Sequence, residues 1–162
     1  MTEIVPIAPA FIDSFHRTLD LVARERRYLA FLEAPPLEST QAFVMEIIRQ
    51  GYPQFVALAS GEVVGWCDVL PKSRPVHAHV GVLGMGLLPP FRGKGLGRQL
   101  IDRALEAARA FGLTRVELTV RQDNDNAIRL YRKVGFITEG VQRNAIRVDG
   151  LYVNVLLMGL LF

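Results

Sequence analysis

Leu87-Leu88-Pro89-Pro90-Phe91-Arg92-Gly93-Lys94-Gly95-Leu96-Gly97 (LLPPFRGKGLG) separates an apolar run ending at Leu88 from a helical repeat that begins at Leu96. Gly93, Gly95 and Gly97 let backbone amides come close to a ligand with no Cβ in the way. The helix that follows leaves its first N–H groups unpaired at the positive end of its dipole. Together these features make an anion site suited to phosphate or pyrophosphate, and Arg92, Lys94 and Arg98 surround it with positive charge. A P-loop would continue into Lys-Ser or Lys-Thr, which this order lacks. A dinucleotide fingerprint would lie near the first strand and be followed about twenty positions on by an acidic residue; only Glu117, inside a strand, stands in that window.

Working outward from this turn, Leu96, Leu100, Ala104, Ala108 and Phe111 recur at nearly every fourth position up to Gly112, which describes an amphipathic helix. Arg115 to Val120 reads as a strand, and Asp123 or Asn124 can cap a helix carrying Ile128, Leu130, Tyr131 and Val134 before Gly135. Phe136 to Val148 and Leu151 to Leu161 are two strands meeting at the hairpin dipeptide Asp149-Gly150. Upstream, Ala78 to Leu88 is a strand, preceded by the pair Phe55 to Ala59 and Val63 to Leu70 around Gly61. Glu3 to Ile7 forms a first strand, and from Pro9 the residues Phe11, Phe15, Leu19 and Val22 mark a helix that Ala34-Pro35-Pro36 interrupts. Ser39 or Thr40 then caps a second helix with Phe43, Val44, Ile47 and Ile48 on one side. The order β, α, α, β, β, β, α, β, α, β, β predicts a mixed α/β sheet with helices on its faces and one domain over residues 1–162.

Half of the 162 residues are hydrophobic, ample for one core, and the formal charge is +3. The charge is unevenly placed: residues 92–147 hold twelve basic and six acidic side chains, the rest seven and ten. A nucleic-acid module is the rival for the basic region, but its cations are spread over two amphipathic helices without a basic stripe interleaved with aromatics, so no nucleic-acid partner is expected. Cys67 stands alone, which fits a reducing compartment. The N-terminus has no basic region followed by an apolar one, and the longest nearly apolar run, Val153 to Phe162, is about half of what a membrane helix needs. The expectation is a cytoplasmic, soluble protein with no membrane partner.

The glycine-rich stretch resembles motif A of the GNAT superfamily of acyl-CoA N-acyltransferases, R/Q-x-x-G-x-G/A, at Arg92, Gly95 and Gly97. A second block, Asn124 to Phe136 (NDNAIRLYRKVGF), resembles the family's N-x-x-A-x-x-L-Y-x-x-x-G-F segment at every marked position. The tail from Glu139 to Met158 is similar to the branch that holds small-amine, amino-acid and protein N-terminal acetyltransferases. The resemblance implies a sheet of about seven strands with about four helices, splayed between the strand before motif A and the next parallel strand. It also implies acetyl transfer from acetyl-CoA, as cosubstrate, to a primary amine by direct attack, with no metal. Leu87, Leu88, Arg92, Gly93, Lys94, Gly95, Leu96, Gly97, Arg98, Asn124 and Tyr131 would bind the cosubstrate, Leu87 and Leu88 offering amides to the thioester arm. Tyr131 would donate a proton or a hydrogen bond to the departing sulfur.

Relatives often place a glutamate on the strand before motif A, but Val80 to Leu88 contains no acid. His79 is the first candidate for the base, with His77 on the same strand face, and a water chain ending on Glu33, Glu38 or Asp68 is the other route. The acceptor region is Arg24 to Ser39, where Tyr28 and Glu33 are the expected substrate contacts, Glu25 and Glu38 suit an amine, and Arg26 and Arg27 suit a carboxylate. An amino acid and a polyamine are equally served. Protein N-terminal or lysine acetylation is the alternative, and a non-catalytic acyl-CoA-binding domain is the reading from another class. The apolar strand Val153 to Phe162 offers a sheet edge to a homodimer partner.

Overall fold

The computed structural model describes every residue from Met1 to Phe162. Its strands are β1 (Thr2–Pro6), β2 (Gln54–Ala59), β3 (Glu62–Pro71), β4 (Val80–Leu87), β5 (Arg115–Arg121), β6 (Ile137–Val148) and β7 (Leu151–Leu161). Its helices are α1 (Ile12–Arg24), α2 (Leu37–Gln50), α3 (Leu96–Phe111) and α4 (Asp125–Val134). All seven strands join in one sheet ordered β1-β2-β3-β4-β5-β7-β6. Only β4 and β5 run parallel, as the α3 crossover between them requires; the other neighbours are antiparallel. No helix is long and apolar enough to cross a membrane.

The apolar stripes expected on the four helices bury on the two faces of the sheet, α3 and α4 on one and α1 and α2 on the other, while Phe43, Ile48 and Phe111 at their margins stay exposed. Leu96, Leu100, Ile101, Ala104 and Ala108 of α3 share a core with Ala57, Cys67, Val69, Val116 and Leu118 of the sheet, and Ile128 and Tyr131 of α4 extend it. On the other face Phe15 and Val22 of α1 and Val44 and Ile47 of α2 pack with Val56, Leu58 and Trp66. Phe15 meets Trp66 edge-on at 5.7 Å between ring centroids. Each large apolar side chain buried in this way contributes about 1.5–3 kcal/mol.

The sheet is not closed along its length. β4 pairs with β5 only through Val80↔Arg115, Gly81↔Val116 and Val82↔Glu117, whereas β3 follows β4 to Leu87 and β7 follows β5 to Arg121. Beyond Val82 the two parallel strands therefore diverge, and each is held in place by its outer neighbour. This is the splay implied by the family resemblance.

Four expectations are corrected. The second helix starts at Leu37 with Pro36 as its cap residue, so neither Ser39 nor Thr40 caps it; Thr40 is instead buried with an unpaired hydroxyl. Proline fixes φ and has no N–H to lose at a helix start, which outweighs the hydroxyl signal two residues later. The strand expected from Ala78 begins at Val80, because Pro75–His77 is a 3-10 turn and Ala78 and His79 continue it. His77 and His79 thus share no strand face. Finally, β7 lies between β5 and β6, so the run Val153 to Phe162 has no free edge to give a partner; the sheet's edges are β1 and β6.

Candidate active site

The wedge between β4 and β5 opens into a cleft of about 610 Å³. Its walls come chiefly from five parts of the chain, Leu83 to Leu87 of β4, Thr119 to Arg121 of β5, the glycine turn, Asn124 to Tyr131 around the start of α4, and Tyr28 to Ala30 from the segment after α1, with Val22 of α1, Ile146 of β6 and Val155 of β7 completing them. The backbone of β4 sets the cleft's chemistry. Leu88 N–H donates to Val64 O at 2.9 Å and Lys72 N–H donates to Val80 O at 2.9 Å. Antiparallel alternation then turns the amides of Gly84 and Gly86 toward β3 as well. Leu83, Met85 and Leu87 turn theirs the other way; the last parallel pair, Val82↔Glu117, occupies the Leu83 amide, and those of Met85 and Leu87 face the wedge. Leu87 was expected from the sequence, Met85 was not, and the Leu88 amide is committed to the sheet.

At the mouth of the wedge, Gly93 and Gly95 have φ of +72° and +84°, and nothing lies within 4 Å of where a Cβ would sit on either. Gly95 is the cap residue of α3. The first bond of that helix runs from Gln99 N–H to Gly95 O, which leaves the amides of Leu96, Gly97 and Arg98 open, and no acid occupies the first turn. Gly97 serves packing: a Cβ there would touch Leu130, Leu87 and Met85 at 3.4–3.5 Å.

The three cations of the turn separate. Arg92 donates from Nε to Leu87 O at 2.9 Å, grips the Glu25 carboxylate through Nη1 and Nη2 at 2.9 and 2.6 Å, and lies 4.7 Å from the Tyr28 ring centroid. With its donors engaged, it joins the glycine turn to the segment after α1 instead of facing the anion site as the sequence suggested. Arg98 pairs with Asp102 one turn along α3 at 3.0 Å. Lys94 is exposed and in no ion pair.

The segment from Glu25 to Ala34 forms a strap across the cleft. Arg26, at φ +61°, binds Asp149 of the β6–β7 turn at 2.7 Å, and Arg121 Nη1 donates to Arg26 O at 3.2 Å. Ala34 N–H donates to Asp20 at 2.9 Å. Tyr28 lines the cleft, but Glu33 is exposed, faces Arg24 at 3.4 Å and does not line it.

Asn124 caps α4, its Oδ1 accepting from Ala127 N–H at 3.3 Å, and it also lines the cleft. Tyr131 is buried, lines the cleft and meets Phe136 edge-on at 5.9 Å. Burial pushes its phenol well above the usual tyrosine value, so it is a protonated hydrogen-bond donor across the physiological range. His79 is brought nowhere near these groups. It precedes β4, whose eight residues, at about 3.3 Å each, separate it from the Leu87 end of the cleft. No aspartate or glutamate lines the cleft, while Arg92, Arg98 and Arg121 do. No group of three or more His, Cys, Asp or Glu side chains converges as metal ligands would.

A family model described as the acetyltransferase (GNAT) family matches residues 16–136, most of the chain, and the chain belongs to that family of acetyl-CoA-dependent N-acetyltransferases. It is 38% identical over 94 residues to the N-alpha-acetyltransferase RimI of Mycobacterium tuberculosis, a span covering 58% of each protein. To the L-amino acid N-acetyltransferase AaaT of Escherichia coli it is 32% identical over 111 residues, 68% of each. The structure of yncA from Salmonella typhimurium, with its cofactor acetyl-CoA, shares the fold at a TM-score of 0.92 and 20% identity, covering 99% of this chain and 93% of that one.

Proposed function

We propose that the chain transfers the acetyl group of acetyl-CoA to the primary amine of a small, amino-acid-like acceptor within a ternary complex. The observation that carries this reading is the wedge past Val82, with unpaired strand donors inside it and an anion cradle at its mouth. An extended arm ending in a pyrophosphate fits such a site: the arm adds to a strand edge, and the phosphates meet open amides with no Cβ in the way. The acetyl-CoA in the yncA structure supports the same cosubstrate. Bound there, acetyl-CoA supplies an activated thioester whose thiol has an ordinary pKa of about 8.5.

The chain's own groups then divide the work. Gly93, Gly95 and the first amides of α3 hold the pyrophosphate, with Lys94 adding its charge, while Met85 and Leu87 bind the arm and polarise the carbonyl. Tyr131 donates a hydrogen bond to the sulfur; its phenol holds its proton too tightly to give it up fully to a thiolate. Arg92 fixes the strap to the turn. For this pair the expected result of Arg92→Ala is a Tm lowered by several degrees, from about 1–3 kcal/mol of lost hydrogen bonding, with acetyl-CoA affinity within about threefold of the parent. Calorimetric titration and a melting curve check it, and an unchanged Tm with a tenfold weaker acetyl-CoA complex would return Arg92 to the phosphates.

The acceptor class follows from the charges of the cleft. The cleft's lining holds no carboxylate to receive the second ammonium of a polyamine, and its three guanidinium groups are each paired with an acid outside the lining, Arg92 with Glu25, Arg98 with Asp102 and Arg121 with Asp123. The likeness to AaaT supports an amino acid; the likeness to RimI supports a protein N-terminal amine as the second reading. Thiol release measured over L-amino acids, polyamines and a short peptide decides among them. Release with amino acids alone is expected, and release with a polyamine alone would contradict the proposal.

A further inference from the structure

We propose that Asp68 is the proton acceptor for the attacking amine, reached from the cleft past Gly84. The inference rests on the acetyl-transfer reading above. Asp68 and Gly84 face each other across β3 and β4, and Gly84 lines the cleft. A Cβ on Gly84 would stand 3.3 Å from Asp68 Oδ1, so the missing side chain is what leaves the carboxylate next to the cleft wall. Both residues belong to the sheet face covered by α1 and α2, the face from which Tyr28 and Leu29 of the strap also enter the cleft. With no acid among the lining residues and none on β4, Asp68 is the carboxylate that the fold sets directly behind the reaction space.

Burial of this group has no structural compensation of the usual kind. Asp68 is 7% exposed and receives one side-chain hydrogen bond, from Gln54 Nε2 at 3.0 Å. No cation faces it: β2 presents Gln54, β4 presents Gly84, α1 presents Phe15, Thr18 and Val22, and α2 presents Thr40, Val44 and Ile47. Its titratable neighbour along β3 is Cys67, whose thiol burial keeps neutral. Gln54 Oε1, beside the carboxylate, is itself buried without a protein partner, so the pocket holds more polar capacity than the protein uses. An unpaired buried carboxylate lowers stability, and such groups persist where chemistry needs them. Desolvation raises the Asp68 pKa to about 7, against the smaller effect of the Gln54 bond, which suits a base working near neutrality.

In the step itself the amine nitrogen forms a C–N bond to the thioester carbonyl carbon and the C–S bond breaks, its electron pair staying on sulfur beside the Tyr131 hydroxyl. The proton shed by the nitrogen goes to Asp68, which later returns it to solvent.

Asp68→Asn keeps the shape and the Gln54 contact while removing the charge. An acid whose folded pKa lies above its unfolded value costs the protein stability progressively as pH rises from about 4 to about 7. The variant is therefore expected to melt a few degrees above the parent at pH 8 and level with it at pH 4, while its kcat falls at least about tenfold and loses the parent's inflection near pH 7. Carbon-13 titration of the ligand-free parent gives a readout independent of turnover and of any substitution, with one aspartate carboxyl expected to titrate near 7. An Asp68→Asn variant with the parent's rate and pH profile, or a parent in which every aspartate titrates below 5, would overturn the proposal. Absence of thiol release by the parent with every amine would instead remove the acetyl-transfer reading on which it rests.

Discussion

Gly95→Asp is expected to weaken acetyl-CoA binding by about a hundredfold or more while leaving the protein folded. Gly95 is the cap residue of α3 at φ +84°, with nothing within 4 Å of a Cβ position. The open space means that no packing clash follows. The left-handed backbone is mildly unfavourable for aspartate, about 1 kcal/mol, and a carboxylate at a helix N-terminus recovers part of that by accepting from the open amides. Those amides are the ones proposed to receive the pyrophosphate, so the introduced carboxylate competes for them and repels the phosphates. Loss of about 2.7 kcal/mol of binding corresponds to the hundredfold. Gly95→Ala, which adds the strain without the charge, is expected to fall between parent and aspartate variant. Equal affinity of all three proteins, measured by calorimetric titration, would mean that the phosphates bind elsewhere.

Tyr131→Phe is expected to lower kcat by roughly ten- to a thousandfold, with acetyl-CoA affinity nearly unchanged. Its ring is held by Phe136 and the α3–α4 core, and phenylalanine keeps that packing. The hydroxyl is the only thing lost. Because burial holds the phenol well above its usual pKa, the parent should show no loss of rate at alkaline pH from ionisation of Tyr131 up to about pH 10. A thiolate is a tolerable leaving group without help, which is why the loss is large but not complete. Turnover equal to the parent at saturating acetyl-CoA would take Tyr131 out of the chemistry and leave it as a core aromatic.

The sequence was most informative where local chemistry decides structure. Gly95, Gly112 and Gly135 punctuate α3 and α4 where expected, and the Asp149-Gly150 turn joins the last two strands. The apolar stripes of α1 to α4 each found the sheet, apart from Phe43 and Ile48 of α2 and Phe111 of α3, which lie at the stripe margins and are exposed. What escaped depends on partners distant in the chain. Arg92 reads as a phosphate ligand until Glu25, 67 residues away, takes both its terminal nitrogens. Leu88 reads as a wedge donor until the β3 register commits its amide to Val64, and the same register shows Met85 as the donor in its place. His79 reads as a base only if its strand begins two residues early, and the Pro75 turn prevents that. Asp68, one carboxylate among sixteen acidic residues, becomes distinctive only once β2 and β4 bury it against a glycine. The period-two alternation of β3 and β4 around Gly84 and Gly86 was the available signal, and it needed the pairing register to be used.

The wedge between β4 and β5 is the centre of the functional reading, and amide hydrogen exchange with and without acetyl-CoA tests it residue by residue. Saturable one-to-one binding is expected to slow exchange at Met85 and Leu87, whose amides face the wedge, by at least about tenfold. Gly84 and Gly86, turned toward β3, should change far less. Binding that leaves Met85 and Leu87 exchanging as in the free protein, or no saturable binding at all, would contradict the assignment of the wedge as the cosubstrate site.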